Sequence, residues 1–216
     1  MKSLFWNKHY QKFSVQQPST FSSYCVTRYL KREDVVVELG CGNGRDGMTL
    51  AEVVSHYAGI DACPVAIESF SKKIDLHQDT QRRNIELLQE DFTIIDFSRF
   101  AKNNERLAIY SRFSLHSINY EEVGRLLSNI EKIDHSSWIF MFEARTIFDE
   151  FYGVGKEIGK HEFESDHYRR FIDPAEFLKE ASTRFNVRYF EVADGLAKFG
   201  NENPIVMRGV IESKLR

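Results

Sequence analysis

At 216 residues, 42% of them hydrophobic, the chain is long enough to bury one generous core, and nothing in its totals asks for a second domain. A net charge of −3 without a sustained Lys/Arg block gives no electrostatic footprint for nucleic acid, so polyanion binding is disfavoured. No window approaches the roughly 18 apolar residues of a membrane span. The first ten residues lack a signal-peptide core, and a cytoplasmic location is expected. The cysteines Cys25, Cys41 and Cys63 have no CxxC spacing, which implies neither a disulfide framework nor a metal knuckle; no metal is expected.

In chain order, residues 1–18 are rich in aromatics (Phe5, Trp6, Tyr10, Phe13) without a strong period and read as an arm. Ser19-Thr20 can cap a helix over 21–31, with Phe21, Cys25 and Tyr29 at helical spacing. Val35-Val36-Val37-Glu38-Leu39 is an apolar run suited to a strand buried on both faces, and it ends in Gly40, Gly42 and Gly44. A short helix through Met48–Val54 follows, then a second strand over 56–61 that stops on Asp61. Pro64 opens a helix with Val65, Ala66, Ile67, Phe70 and Ile74 on its stripe. A third strand over 84–89 ends at Glu90-Asp91-Phe92, and a fourth over 106–110 leads into the polar, aromatic connection Ser111–Ser117. Asn119 caps a helix whose buried face is Val123, Leu126, Leu127, Ile130 and Ile133, and Trp138–Phe142 is a fifth strand.

Residues 151–172 lose periodicity and gain Gly153, Gly155 and Gly159, which reads as a lid or insertion. Asp173-Pro174-Ala175-Glu176 restarts a helix, and strands near 185–192 and 205–211 close the chain. Alternating strands and helices followed by two strands with no helix between them predict an α/β, Rossmann-like doubly wound fold. Its sheet is seven-stranded and mostly parallel, with one antiparallel strand near the C-terminus. In such sheets ligands bind beyond the carboxyl ends of the strands, where Asp61, Glu90-Asp91, Ser111-Arg112 and Glu143–Arg145 should converge.

A dinucleotide motif wants G-x-G-x-x-G, but Gly40, Gly42 and Gly44 form G-x-G-x-G and Arg45 stands at the dinucleotide's third-glycine position. That spacing disfavours an NAD-dependent oxidoreductase, the alternative enzyme reading. A non-catalytic binding protein on the same fold is the other alternative. Asp61, about 20 residues on at the end of the next strand, can accept both hydroxyls of a ribose. Asp91 can accept from an adenine amine, with Phe92 beside the ring.

Glu38-Leu-Gly-Cys-Gly-Asn-Gly44, Gly59-Ile-Asp61 and Glu90-Asp-Phe92, each closing one of three successive strands, resemble the class I S-adenosylmethionine-dependent methyltransferases. Tyr110–Ser117 and His167-Tyr168-Arg169-Arg170-Phe171 look like a subgroup associated with bacterial capsule and lipopolysaccharide biosynthesis. The resemblance implies S-adenosylmethionine as methyl donor and S-adenosylhomocysteine as product. It implies that Gly40, Cys41, Gly42, Asn43 and Gly44 pass the methionine moiety, that Asp61 and Ala62 hold the ribose and that Asp91 and Phe92 hold the adenine. Ser111 and Arg112 would lie near the methyl and its acceptor, Arg45-Asp46 follow the glycines as in the subgroup, and Tyr10 and Ser19 would close over the cofactor.

Methyl transfer from a sulfonium needs the acceptor held at near-attack distance in a dry cleft, and a base only where a proton must leave. His116 and His167 are the candidate bases, His167 preferred for its place in the lid; a structural role stays open for each. Arg112, Arg145, Arg169 and Arg170, with Tyr168, are candidates for an acceptor clamp, because guanidinium offers a fixed donor fork to phosphate. A salt-bridged surface with Glu162, Glu164 and Asp166 is the alternative role for these arginines. The expected acceptor is a small phosphorylated or nucleotide-linked molecule, methylated on a sugar hydroxyl or on a phosphate or phosphoramidate oxygen.

Overall fold

The apolar run Val35–Leu39 forms strand β1 and is buried along its whole length. Its side chains alternate between two cores, as the two-residue period of a strand requires. Val35, Val37 and Leu39 join a cluster with Val123, Leu126 and Phe177, whereas Val36 joins Phe21, Cys25, Leu50 and Phe70 on the other face. The computed structural model describes residues 2–12, 17–76, 84–100, 105–133 and 137–214.

Around β1 lie β2 (His56–Ile60), β3 (Ile85–Leu88), β4 (Leu107–Arg112), β5 (Trp138–Arg145), β9 (Asn186–Ala193) and β10 (Val206–Glu212), in the order β3-β2-β1-β4-β5-β10-β9. β1 pairs in parallel with β2 and β4, and β10 runs antiparallel between β5 and β9. The sheet is therefore the seven-stranded one expected, with β10 its single reversed strand. Helices α2 (Thr20–Arg28), α3 (Gly47–Val53) and α4 (Pro64–Leu76) cover one face, and α5 (Tyr120–Glu131) and α6 (Pro174–Arg184) the other. Among the described residues, no helix is long and apolar enough to cross a membrane.

Three expectations are corrected. Residues 2–12 are not an irregular arm but helix α1 (Lys2–Lys12). Its aromatics pair at i,i+4, Phe5 with His9 and Trp6 with Tyr10, so they form side-by-side ladders instead of one apolar stripe. β4 and β5 each run past their apolar cores, so Ser111, Arg112, Glu143 and Arg145 are strand residues. Segment 151–172 contains a small antiparallel sheet of β6 (Lys156–Gly159), β7 (Glu162–Glu164) and β8 (Tyr168–Arg170).

Candidate active site

The strand order reverses between β1 and β4, and the crevice outside their carboxyl ends is where open α/β sheets take ligands. The glycine turn that leaves β1 holds Gly40, Gly42 and Gly44 at φ values of 71°, 56° and 74°. A Cβ at Gly42 would lie 2.7 Å from the Tyr10 hydroxyl, and one at Gly44 would lie 2.2 Å from the Phe70 ring. Gly42 thus borders the cavity and Gly44 locks the turn onto α4.

Asp61 is fixed at the mouth by two backbone donors, Gly42 N–H at 2.9 Å and Cys63 N–H at 2.8 Å. Each carboxylate oxygen keeps a lone pair for a ligand hydroxyl. Burial pushes this carboxyl above its ordinary range, opposed by the two backbone bonds. Deeper in, Glu38 accepts from the Tyr57 hydroxyl at 2.5 Å and is pushed up by burial and by Asp46. Asp46 accepts from Ser19 N–H, Ser19 O–H and the Tyr110 hydroxyl, each at 2.7 Å. Ser19 caps α2 and ties it to the turn, and it is not among the cavity's lining residues.

Glu38, Gly42, Asp46 and Asp61 border a cavity of about 570 Å³, in the range of small-molecule sites. Gly40, Cys41, Gly42, Asn43, Arg45 and Asp61 line it, as do Ala62, Asp91, Phe92 and Tyr10. Gly44 and Ser111 do not. Ser111 is fully buried against Ser114, whose hydroxyl lies 2.6 Å away, and it is Ser114 that reaches the cavity.

The far wall is basic. Arg112, His116, Arg145, His167 and Arg169 all line it. Phe113, at the left-handed φ of 58°, lies beneath the Arg112 guanidinium at 4.3 Å and the Arg145 guanidinium at 5.5 Å. Arg112 donates to Glu143 at 3.0 Å, and Arg145 donates to both oxygens of Asp149 at 3.1 and 3.0 Å and to Glu202 at 2.6 Å. Arg169 donates to Asp166 at 2.7 Å. The salt-bridged role and the cavity-lining role therefore coexist. Tyr168 and Arg170, which flank Arg169 on β8, are not in the lining; Arg170 Nε donates to the Ile118 carbonyl at 3.1 Å, on the opposite face of that short strand.

His116 is buried with no hydrogen-bond partner for Nδ1. Burial, then Arg145, Arg169, His167 and Arg112, drive its pKa well below the ordinary value. His167 is lowered by burial and Arg169, while Asp166, 3.1 Å from Nδ1 but off the hydrogen-bonding direction, raises it. The His167 ring stacks on Phe5 at 3.9 Å. Phe5, Trp6, Glu38, Cys63, Phe113 and Glu122 also line the cavity without having been singled out in the sequence. The i,i+4 aromatic pairs of α1 were the available signal for the first two. Elsewhere among the described residues, one group, His161, Asp173 and Glu176, brings three potential metal-ligating atoms within 4.8 Å of one another, but Lys160 Nζ already stands 2.6 Å from Glu176.

Residues 36–133, the stretch that carries the turn, Asp61, Asp91 and His116, match the protein family described as "Methyltransferase domain". A search of curated proteins by sequence returns no match. Solved methyltransferases share the fold at low identity. One is an S-adenosylmethionine-dependent methyltransferase from Methanosarcina mazei, at TM-score 0.71 and 16% identity, over 88% of this chain and 97% of that one. Another is the CcbJ methyltransferase from Streptomyces caelestis, at 0.70 and 12%, over 100% of each chain. A third is the glycopeptide N-methyltransferase MtfA, solved with S-adenosylmethionine, at 0.66 and 13%, over 94% and 90%. The glycine turn of the matched stretch thus stands at the switch point of a fold these enzymes share.

Proposed function

We propose that the protein transfers a methyl group from S-adenosylmethionine to an oxygen of a small phosphorylated or nucleotide-linked acceptor, in the making of a surface polysaccharide. The cofactor fits the residues present: Gly42 leaves room only for backbone, and Asp61 is held open by backbone donors at the mouth. Asp61 and Ala62 would hold the ribose, Asp91 and Phe92 the adenine, and Gly40–Asn43 the methionine moiety, with Tyr10 over them. Bound there, S-adenosylmethionine supplies an electrophilic methyl on a sulfonium.

The observation that carries the acceptor class is His116, a buried imidazole with an unpartnered Nδ1 among Arg112, Arg145 and Arg169 in one cavity wall. Such a wall suits an anion that accepts from guanidinium forks. For a sugar hydroxyl acceptor, His167 is the better base. Asp166 beside it stabilises the imidazolium, whereas His116 would gain its proton among cations. For a phosphate or phosphoramidate oxygen no base is needed, and the wall acts by orientation alone.

Incubation with S-adenosylmethionine and CDP- or GDP-linked acceptors, followed by mass spectrometry, should reveal an added methyl. Failure to bind S-adenosylhomocysteine at millimolar concentration defeats the reading. His167→Ala separates the two acceptor oxygens: a large loss of turnover with intact cofactor affinity marks a hydroxyl, and near-normal turnover removes the base role.

A further inference from the structure

The connection between β9 and β10 reaches back to the basic wall. Phe199 and Glu202 exchange backbone hydrogen bonds of 3.0 Å in both directions, closing a two-residue turn with Gly200 at φ 58°. The connection is stapled on either side of this tip, by Thr20 and Arg208 donating to the Leu196 carbonyl at 2.6 and 2.7 Å, and by Gly195 N–H donating to Asn203 at 2.7 Å. The tip itself meets two cavity arginines through side chains: Phe199 lies 5.2 Å from the Arg45 guanidinium, and Glu202 accepts from Arg145 at 2.6 Å.

The two acidic partners of Arg145 differ in kind. Asp149 has a fully buried side chain and grips one guanidinium nitrogen with both oxygens. Glu202 has a side chain half exposed and takes the other nitrogen with one oxygen. A buried partner cannot leave without stranding a charge, whereas an exposed carboxylate exchanges with little net change, because water receives it. Of Arg145's two anions, Glu202 is the replaceable one.

We infer that Glu202 occupies on Arg145 the place of the acceptor's anionic group, and that the 199–202 tip must yield it for the acceptor to bind. This rests on the proposed methyl transfer to a phosphate-bearing acceptor and adds a specificity-determining residue to it. A phosphate monoester or a diphosphate, with two negative charges, outcompetes a single carboxylate for the guanidinium, and a neutral sugar does not. Glu202 therefore favours acceptors that bring an anion to Arg145.

The test is calorimetric titration of the full chain with inorganic pyrophosphate, at low salt, for the wild type, Glu202→Gln and Glu212→Gln. Glu212 lies at the far end of β10, about 20 Å along the strand, so its variant makes the same charge change away from the cavity. Glu202→Gln should bind pyrophosphate about threefold or more tightly, with the gain shrinking as salt is raised, and Glu212→Gln should match the wild type. Equal affinities for wild type and Glu202→Gln, an equal gain in Glu212→Gln, or no binding to any form overturns the inference. S-adenosylhomocysteine affinity is measured alongside: its absence from the wild type defeats the methyl-transfer reading, while the pyrophosphate comparison still decides the role of Glu202.

Discussion

Gly42 and Gly44 share a left-handed backbone and differ in what an added methyl would strike, which makes them separable by experiment. The left-handed conformation alone costs a non-glycine residue roughly 1–2 kcal/mol. At Gly44 the Cβ would also enter the ring of Phe70, a fully buried residue that cannot turn aside. Gly44→Ala should therefore lose about 3 kcal/mol or more in urea unfolding. At Gly42 the obstacle is Tyr10 on α1, so Gly42→Ala should lose little beyond the backbone term and instead bind S-adenosylhomocysteine at least about tenfold more weakly. Comparable stability losses in the two variants would remove the distinction. His116 carries a second residue-scale expectation, in pH. Its folded pKa lies below the ordinary 6.5, so the unfolded chain binds the extra proton as pH falls. The stability this neutral imidazole confers is complete above about pH 6.5 and is lost on acidification below it. Glu38 and Asp61, pushed upward, have the opposite sign, so the informative quantity is the difference between wild type and His116→Phe. The wild type should lose more stability than the variant between pH 7.5 and 5.5; parallel profiles would show His116 titrating as an ordinary histidine.

At the scale of elements, those with one dominant physical cause were legible. β1 announces itself as a β-branched run, α5 by a full capping box in which Asn119 accepts from Glu122 N–H and Glu122 accepts from Asn119 N–H, and α6 by Asp173-Pro174. Four elements were not. The strands β6, β7 and β8 are three or four residues each, too short for a period to show, and α1 has its aromatics on adjacent ladders. α1 is held over the cavity by tertiary contacts, Phe5 on His167, Tyr10 on Gly42 and the Cys63 thiol donating to Asn7 at 3.1 Å. Little of the central sheet depends on those contacts. Removing residues 1–12 should therefore speed S-adenosylhomocysteine dissociation by about tenfold or more, while the melting temperature shifts by only a few degrees. A collapse of the melting transition would make α1 part of the core instead of a cover.

Across the whole molecule, the reversed strand β10 does more than complete the sheet, because it supplies one member of a buried charge cluster that the linear sequence conceals. Glu143 on β5 accepts from Arg112 on β4 at 3.0 Å and from Arg208 on β10 at 2.5 Å, with its own side chain fully buried. Pattern reading placed Arg112 and Glu143 at strand ends but took both strands as stopping at their last apolar residue. It had no means of bringing Arg208 to them, since that pairing needs the β5–β10 register in which Arg208 opposes Glu143. The part of the cavity lined by Gly40–Asn43, Asp61 and Asp91 was legible because these residues follow three successive strands in the sequence. The basic wall was legible only as residue types, because β4, β5 and β8 and the turns beside them assemble it. The cluster links that assembly to stability. Glu143→Gln leaves the buried Arg208 guanidinium and the largely buried one of Arg112 without their counter-charge and should cost about 3–5 kcal/mol. Arg208→Met leaves Glu143 still paired with Arg112 and should cost less. Because Arg112 loses the partner that aims it into the cavity, Glu143→Gln should also raise KM for the acceptor more than it weakens S-adenosylhomocysteine binding. Urea unfolding with an unchanged slope, read beside the two affinities, decides the matter. A Glu143→Gln protein as stable as Arg208→Met would mean that water, not the arginines, satisfies this carboxylate.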